Sequence, residues 1–258
     1  MAITHIELAI FTALRRGNAL PPRPAVLELG ESNWYGDVAV EWVRQSITQF
    51  VTDAELRTRL LADFVAAVTT QSADVRYKIA KIVFRALLDY STLSAIDPGT
   101  AGSEYRFDLN YPVPLDRQFD LTLNIGTSEH IFNIGQFYKT MHELTRPNGL
   151  MITTAPFTGW IDHGFYNLQA TFYFDLAIAN RYNILLLFIG TISPPSIISV
   201  RGRDEVVTLA QEGKIPQNAE LSVVFRKPPD EAAFTMPTQG IYAGTLSPVG
   251  REAWRTLR

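Results

Sequence analysis

Ala25-Val26-Leu27-Glu28-Leu29 is apolar but for one glutamate, and it stops abruptly at Gly30. Pro24 precedes it, and it is far too short for an ordinary helix. It therefore reads as a buried strand that opens into a loop. Helical periodicity flanks it on both sides: Ile6, Ile10 and Leu14 before it, Val40, Val43, Ile47 and Phe50 after it. A chain that passes from helix to buried strand to helix must cover both faces of that strand, which restricts it to a layered α/β architecture.

The same alternation continues. Thr52 stands three residues before Glu55, a capping-box spacing, and opens a helix with Leu56, Leu60, Phe64 and Val68 on one face. A further helix carries Val75, Ile79, Ile82 and Leu87. Leu93 to Ile96 is the next strand, and it ends at Asp97. The stretch between these two strands is long for a βαβ unit, so residues 38–90 are read as a helical insertion. Tyr105 to Phe107 reads as a short strand, Phe119 to Ile125 as a longer one. A helix with Phe137, Met141 and Leu144 in phase then leads through Pro147-Asn148-Gly149 into the strand Leu150 to Thr154. Ile184 to Ile192 and Leu221 to Arg226 are strands on either side of a helix at Val206 to Gln211, and residues 228–258 form a C-terminal arm rich in Pro and Gly. The expected fold is α/β, a doubly wound, mainly parallel seven-stranded sheet in one domain over residues 1–258.

Composition narrows the function. The 258 residues are 47% hydrophobic, enough for one large core. A formal charge of −3 and scattered basic residues give no footprint for nucleic acid. With no cysteine there is neither a disulfide scaffold nor a thiolate metal site. The longest apolar run, Ile184 to Ile192, is about half of what spans a bilayer. Arg15 and Arg16 follow the apolar N-terminal stretch, where a secretory signal would place charge before it. These features predict a soluble cytoplasmic protein without nucleic-acid or membrane partners; whether it forms a homo-oligomer is left open.

In open α/β sheets ligands bind beyond the carboxyl ends of the strands. The first strand delivers Glu28, Gly30, Glu31 and Ser32 there, the second Asp97, the third Asp108 and Asn110. The fourth delivers Asn124, Gly126, Thr127, Glu129 and His130. Acidic and amide groups suit a ligand rich in hydroxyl, amino and amide groups. Taken singly, a glycine after a strand is as readily a turn, and an aspartate a helix cap.

The order of these residues resembles the class I S-adenosylmethionine-dependent methyltransferases. Val26-Leu27-Glu28-Leu29-Gly30 is similar to the family's first motif, Ala95-Ile96-Asp97 to the acidic end of its second strand, and Phe107-Asp108-Leu109-Asn110 to its adenine-contacting motif. The most specific stretch runs from Phe119-Asp120-Leu121 through Ser128-Glu129-His130-Ile131 to Leu144-Thr145-Arg146-Pro147-Asn148-Gly149. The resemblance implies S-adenosylmethionine as cofactor, bound by Glu28, Gly30, Glu31, Ser32, Asp97, Asp108, Leu109 and Asn124. It also implies in-line methyl transfer to an acceptor read as a small molecule or a sugar-like metabolite. The family's G-x-G-x-G loop is replaced by Gly30-Glu31-Ser32-Asn33-Trp34-Tyr35-Gly36. A sulfonium nucleoside carries no phosphate, so close backbone approach at several glycines is less needed than for a dinucleotide.

An oxygen or nitrogen acceptor must also lose a proton, and histidine suits that task near neutral pH. His130 and His163 are the candidate catalytic bases, each with a structural alternative: a hydrogen-bonded Glu-His pair for the first, a turn residue before Gly164 for the second. His142, on a helix, is expected to be structural. The histidine spacing is not that of a ligand pair on one helix, and no metal site is expected from it. Trp160, Phe165, Tyr166, Phe172, Tyr173 and Phe174 read as core packing or as an acceptor pocket. Two other readings remain: a methyltransferase-fold binding protein without activity, and a nicotinamide-dependent oxidoreductase.

Overall fold

The computed structural model describes residues 2–70, 74–100 and 103–256. The chain divides into two compact units, Met1–Phe107 and Asp108–Arg258.

The first unit opens with β1 (Ala2–Ile3) and α1 (His5–Arg16). Thr4 caps α1: its side chain accepts from the Ile6 amide, while the Glu7 carboxylate accepts from the Thr4 amide at 2.9 Å and hydroxyl at 2.7 Å. Glu7 is thus part of a capping box. β2 (Ala25–Leu29) is buried throughout and is followed by β3 (Asn33–Trp34), which pairs in parallel with β1. The expected insertion is three helices, α2 (Val40–Phe50), α3 (Ala54–Thr69) and α4 (Val75–Leu88). The N-cap of α3 is Asp53, not Thr52; its side chain accepts from the Leu56 amide at 2.8 Å. A carboxylate one residue further along reaches the same free amides, and spacing alone does not separate the two. β4 (Thr92–Ile96) runs parallel to β2, with Leu29 opposite Ile96. The strand expected at Tyr105 to Phe107 reduces to a single bridge between Tyr105 and Ile96.

The second unit holds β5 (Phe119–Ile125), a one-turn 3₁₀ helix (Ser128–His130), α5 (Ile134–Glu143) and β6 (Thr145–Pro156). It continues with α6 (Ala170–Asn180), β7 (Asn183–Thr191), β8 (Ser196–Ser199), α7 (Arg203–Gln211) and β9 (Ala219–Arg226). The arm beyond β9 ends in α8 (Gly240–Ala243) and α9 (Pro248–Thr256). β5 and β6 are parallel, but β9 lies antiparallel between β6 and β7, and β8 is antiparallel to β7. The seven strands, two of them in the first unit and five in the second, are therefore mainly parallel as expected, but not purely so, since β9 and β8 run against their neighbours. The reason is local: Ser193-Pro194-Pro195 folds β8 straight back onto β7, and a return so short is possible only for antiparallel neighbours.

Both cores are aromatic as well as aliphatic. Phe119, Leu123, Phe137, Met141, Ile152, Tyr173 and Val223 are buried in the second unit. There the ammonium of Lys227 donates to the carbonyls of His142 and Thr145 at 3.0 and 2.8 Å, closing the end of α5. His142 bridges Tyr182 Oη and the Ala232 carbonyl, each at 2.7 Å, and so pins the arm. No described helix is long and apolar enough to cross a membrane.

In the first unit Phe84 of α4 meets Phe11 of α1 edge to face at 5.7 Å, and neither is exposed. Phe84→Ala should lower the unfolding free energy by about 3–5 kcal/mol, read from urea denaturation. A loss below about 1 kcal/mol would mean that the helices of the insertion do not close this core.

Candidate functional site

The first unit gathers its candidate residues around one loop. Gly30 ends β2 with φ of 90°, which favours glycine, and its amide donates to the Ile96 carbonyl at 2.8 Å. The next two amides turn to carboxylates. The Glu31 amide donates to Asp97 Oδ2 at 3.0 Å, and the Ser32 amide donates to Glu28 Oε1 at 2.9 Å. Asp97 Oδ1 accepts from the amides of Gly99 and Thr100 at 2.8 and 3.2 Å. Both lone pairs of Oδ1 are therefore engaged, while Oδ2 keeps one. Of the expected cofactor residues, Glu28, Gly30, Glu31, Ser32 and Asp97 thus form one connected group.

Glu28 has no exposed surface and would be costly as an uncompensated anion. Its Oε2 accepts from Lys81 Nζ at 2.6 Å, and the same ammonium lies 3.2 Å from Glu31 Oε1. Burial pushes the Glu28 carboxyl up and Lys81 pulls it back. Burial acts to lower the Lys81 ammonium, but the two glutamates outweigh it and hold it above its usual value. Lys81 comes from α4 and was not singled out by sequence, where one lysine between apolar positions resembles a solvated helix face.

In the second unit Asp108 is exposed, and its Oδ1 accepts from both nitrogens of Asn110 at 2.8 Å. Leu109 is buried. Asn110 in turn accepts from the Asn133 amide at 3.0 Å, and Asn133 caps α5. Asn124, fully buried in β5, donates to Ser128 Oγ and Thr153 Oγ1 at 2.9 and 2.7 Å and accepts from the amides of Thr127 and Ser128. All four of its hydrogen-bonding positions are used to shape the turn after β5.

That turn carries Glu129 and His130, and the loop after β6 brings His163 beside them. Glu129 Oε1 lies 3.9 Å from Nε2 of His130 and 3.9 Å from Nε2 of His163, and the two imidazoles are 5.1 Å apart. Both rings are partly exposed, whereas Glu129 is buried and its Oε2 has no hydrogen-bond partner. Burial raises the Glu129 carboxyl to about 7. Burial, then the neighbouring His163, lowers His130.

The loop is fixed by contacts of its own. The Phe165 amide donates to the Glu129 carbonyl at 2.8 Å, Tyr166 Oη donates to the Phe132 carbonyl at 2.7 Å, and the Trp160 ring lies 4.9 Å from His163. Gly164 permits the approach: a Cβ there would sit 2.9 Å from the Glu129 carbonyl oxygen. His130 and His163, both expected from sequence, are therefore brought together. Glu129 joins them, a residue the sequence places at a strand end and beside His130 without linking it to His163.

The same unit also holds a cavity of about 550 Å³, lined mainly by apolar side chains including Phe157, Val206, Ile241, Leu246 and Trp254. No single stretch of sequence marks it, because its walls come largely from α6, α7 and the arm.

No protein-family model and no curated protein matches the chain. Among solved structures, it is similar to the N-methyltransferase NodS from Bradyrhizobium japonicum WM9, at 10% identity over 87% of this chain and 96% of that one, with a TM-score of 0.40. It is similar to 1,6-didemethyltoxoflavin-N1-methyltransferase from Burkholderia thailandensis, which holds S-adenosylhomocysteine, at 12% identity over 85% and 77%, TM-score 0.35. It is likewise similar to a SAM-dependent methyltransferase, a possible histamine N-methyltransferase, from Thermotoga maritima, at 12% identity over 86% and 94%, TM-score 0.36.

Removing Lys81 strands Glu28 as a buried carboxylate. Lys81→Met should destabilise the protein by about 3 kcal/mol, the low end for breaking a buried pair because the lysine is partly solvated. Adding Glu28→Gln should restore most of that loss, measured by urea unfolding at pH 7. Equal stability of Lys81→Met and the parent would show that the pair does not carry charge.

Proposed function

We propose that the chain binds S-adenosylmethionine and transfers its methyl group to a small-molecule or sugar-like acceptor. One observation carries this reading: Glu28, Glu31 and Asp97 converge on the loop after β2, where Lys81, paired with the two glutamates, is the one ammonium in an ion pair with them among the described residues. A pyrophosphate approaching that loop would meet a surplus of negative charge. A ligand bearing a sulfonium and an ammonium is attracted to it. The remaining Oδ2 lone pair of Asp97 suits a ribose hydroxyl, and Glu31 suits the amino group of the donor. Asp108 and Leu109 are assigned to the adenine, and Asn124 acts by holding its turn.

Methyl transfer is an in-line displacement at a sulfonium carbon, so alignment and exclusion of water are most of the task. The acceptor's proton is assigned to His130 and His163, whose imidazoles stand side by side and are partly open to solvent.

Calorimetry decides between this reading and a nicotinamide enzyme. S-adenosylhomocysteine should bind and NAD should not; binding of NAD alone would reverse the assignment. Asp97→Asn should weaken S-adenosylhomocysteine by about 10- to 100-fold, the loss of a charge-assisted hydrogen bond. A thermal melt without ligand reports any loosening of the 97–100 loop.

A further inference from the structure

We infer that Glu129, His130 and His163 form a binding site for a divalent transition-metal ion. Their ligand atoms all lie within 4.8 Å of one another, and the carboxylate oxygen is equidistant from the two imidazoles. Ligands of a tetrahedral ion with metal–nitrogen bonds of about 2.0–2.1 Å stand about 3.4 Å apart. Small rotations of two partly exposed rings close the remaining gap.

A second, independent observation points the same way. Glu129 is 1% exposed, and its Oε2 lies buried without any hydrogen-bond partner. An orphaned buried carboxylate oxygen is expensive unless a proton or a cation meets it. The two groups nearest to its partner oxygen are imidazoles, which ligate such ions through a ring nitrogen.

Ligand chemistry selects the ion. Two nitrogens and one oxygen suit Zn(II), Fe(II), Mn(II), Co(II) or Ni(II), and are a poor set for Ca(II) or Mg(II), which take oxygen. Three protein ligands leave coordination positions open, and the exposure of both rings places these on the accessible side.

The site is held by Gly164, which lets the loop lie directly on Glu129. A side chain at 164 moves His163 away while leaving all three ligands in the sequence, so Gly164 is a positioning residue.

The site does not depend on the methyl-transfer reading, and its test uses no methyl donor. The full chain, stripped with EDTA and dialysed, is titrated with Co(II) and followed by visible absorption and calorimetry. One ion per chain is expected. His130→Ala and His163→Ala should each weaken binding by more than the roughly 10- to 100-fold that loss of an outer partner costs, and Gly164→Val by about that amount. His5→Ala removes the other imidazole beside a carboxylate, 2.7 Å from Asp37, and should leave binding intact. No uptake by the wild type, or equal uptake by the double variant His130→Ala/His163→Ala, overturns the site.

Discussion

The first unit depends on a carboxylate in the middle of a buried strand. Glu28 sits in β2 with no exposed surface, where only a partner of opposite charge and a directed hydrogen bond make an anion tolerable. Lys81 supplies the charge and the Ser32 amide the hydrogen bond. The three helices between β2 and β4 are therefore more than a decoration of the sheet. Without α4 there is no ammonium at Glu28, and without Glu28 nothing holds the Ser32 amide. The neighbouring strand works on the loop in parallel, because Asp97 at the end of β4 holds the Glu31 amide. Two strands in register thus fix two successive amides of one loop, and the loop needs no run of glycines to be rigid.

An amide side chain does the corresponding work in the second unit. Asn124 uses both donors and both acceptor positions on Ser128, Thr153 and Thr127, so the turn after β5 has one shape. That shape drives Glu129 inward and leaves His130 outward. The 160–165 loop then settles on the Glu129 backbone because residue 164 has no side chain to prevent it. A short polar turn and one glycine are enough to bring the distant His163 beside the adjacent pair Glu129 and His130.

Much of this could be read from the residues alone, and the failures have physical causes. The acidic strand ends, Glu28 and Asp97, were legible because a short apolar run stopped by glycine or aspartate has few other meanings. The mainly parallel sheet was legible too, but the reversal of β9 and β8 was not, since a buried strand shows the same continuous apolar pattern whether its neighbour is parallel or antiparallel. β8 escaped notice because four residues, mostly exposed, carry no period. α6 shows in the sequence only as an aromatic-rich segment: Tyr173, Phe174, Asp175, Leu176 and Ala177 are consecutive and all buried, so no polar face marks the helix. Lys81 and the meeting of Glu129 with His163 are tertiary facts, visible in no window of the sequence.

The chain thus buries two glutamates and treats them in opposite ways. Glu28 is given a resident cation from its own unit, so its charge is a fixed part of the structure, available to orient a cationic ligand and unable to move. Among the described residues Glu129 receives no lysine or arginine partner. Its nearest ionisable neighbours are two imidazoles at 3.9 Å, beyond hydrogen-bonding distance, and burial has already lifted its carboxyl to about 7. A carboxylate kept neutral-prone costs less to bury but does less as a fixed charge. An arrangement so left short of positive charge, yet open through two exposed rings, is suited to receive it from outside. A permanent counterion at Glu129, of the kind Lys81 provides to Glu28, would compete directly with any cation entering between those rings.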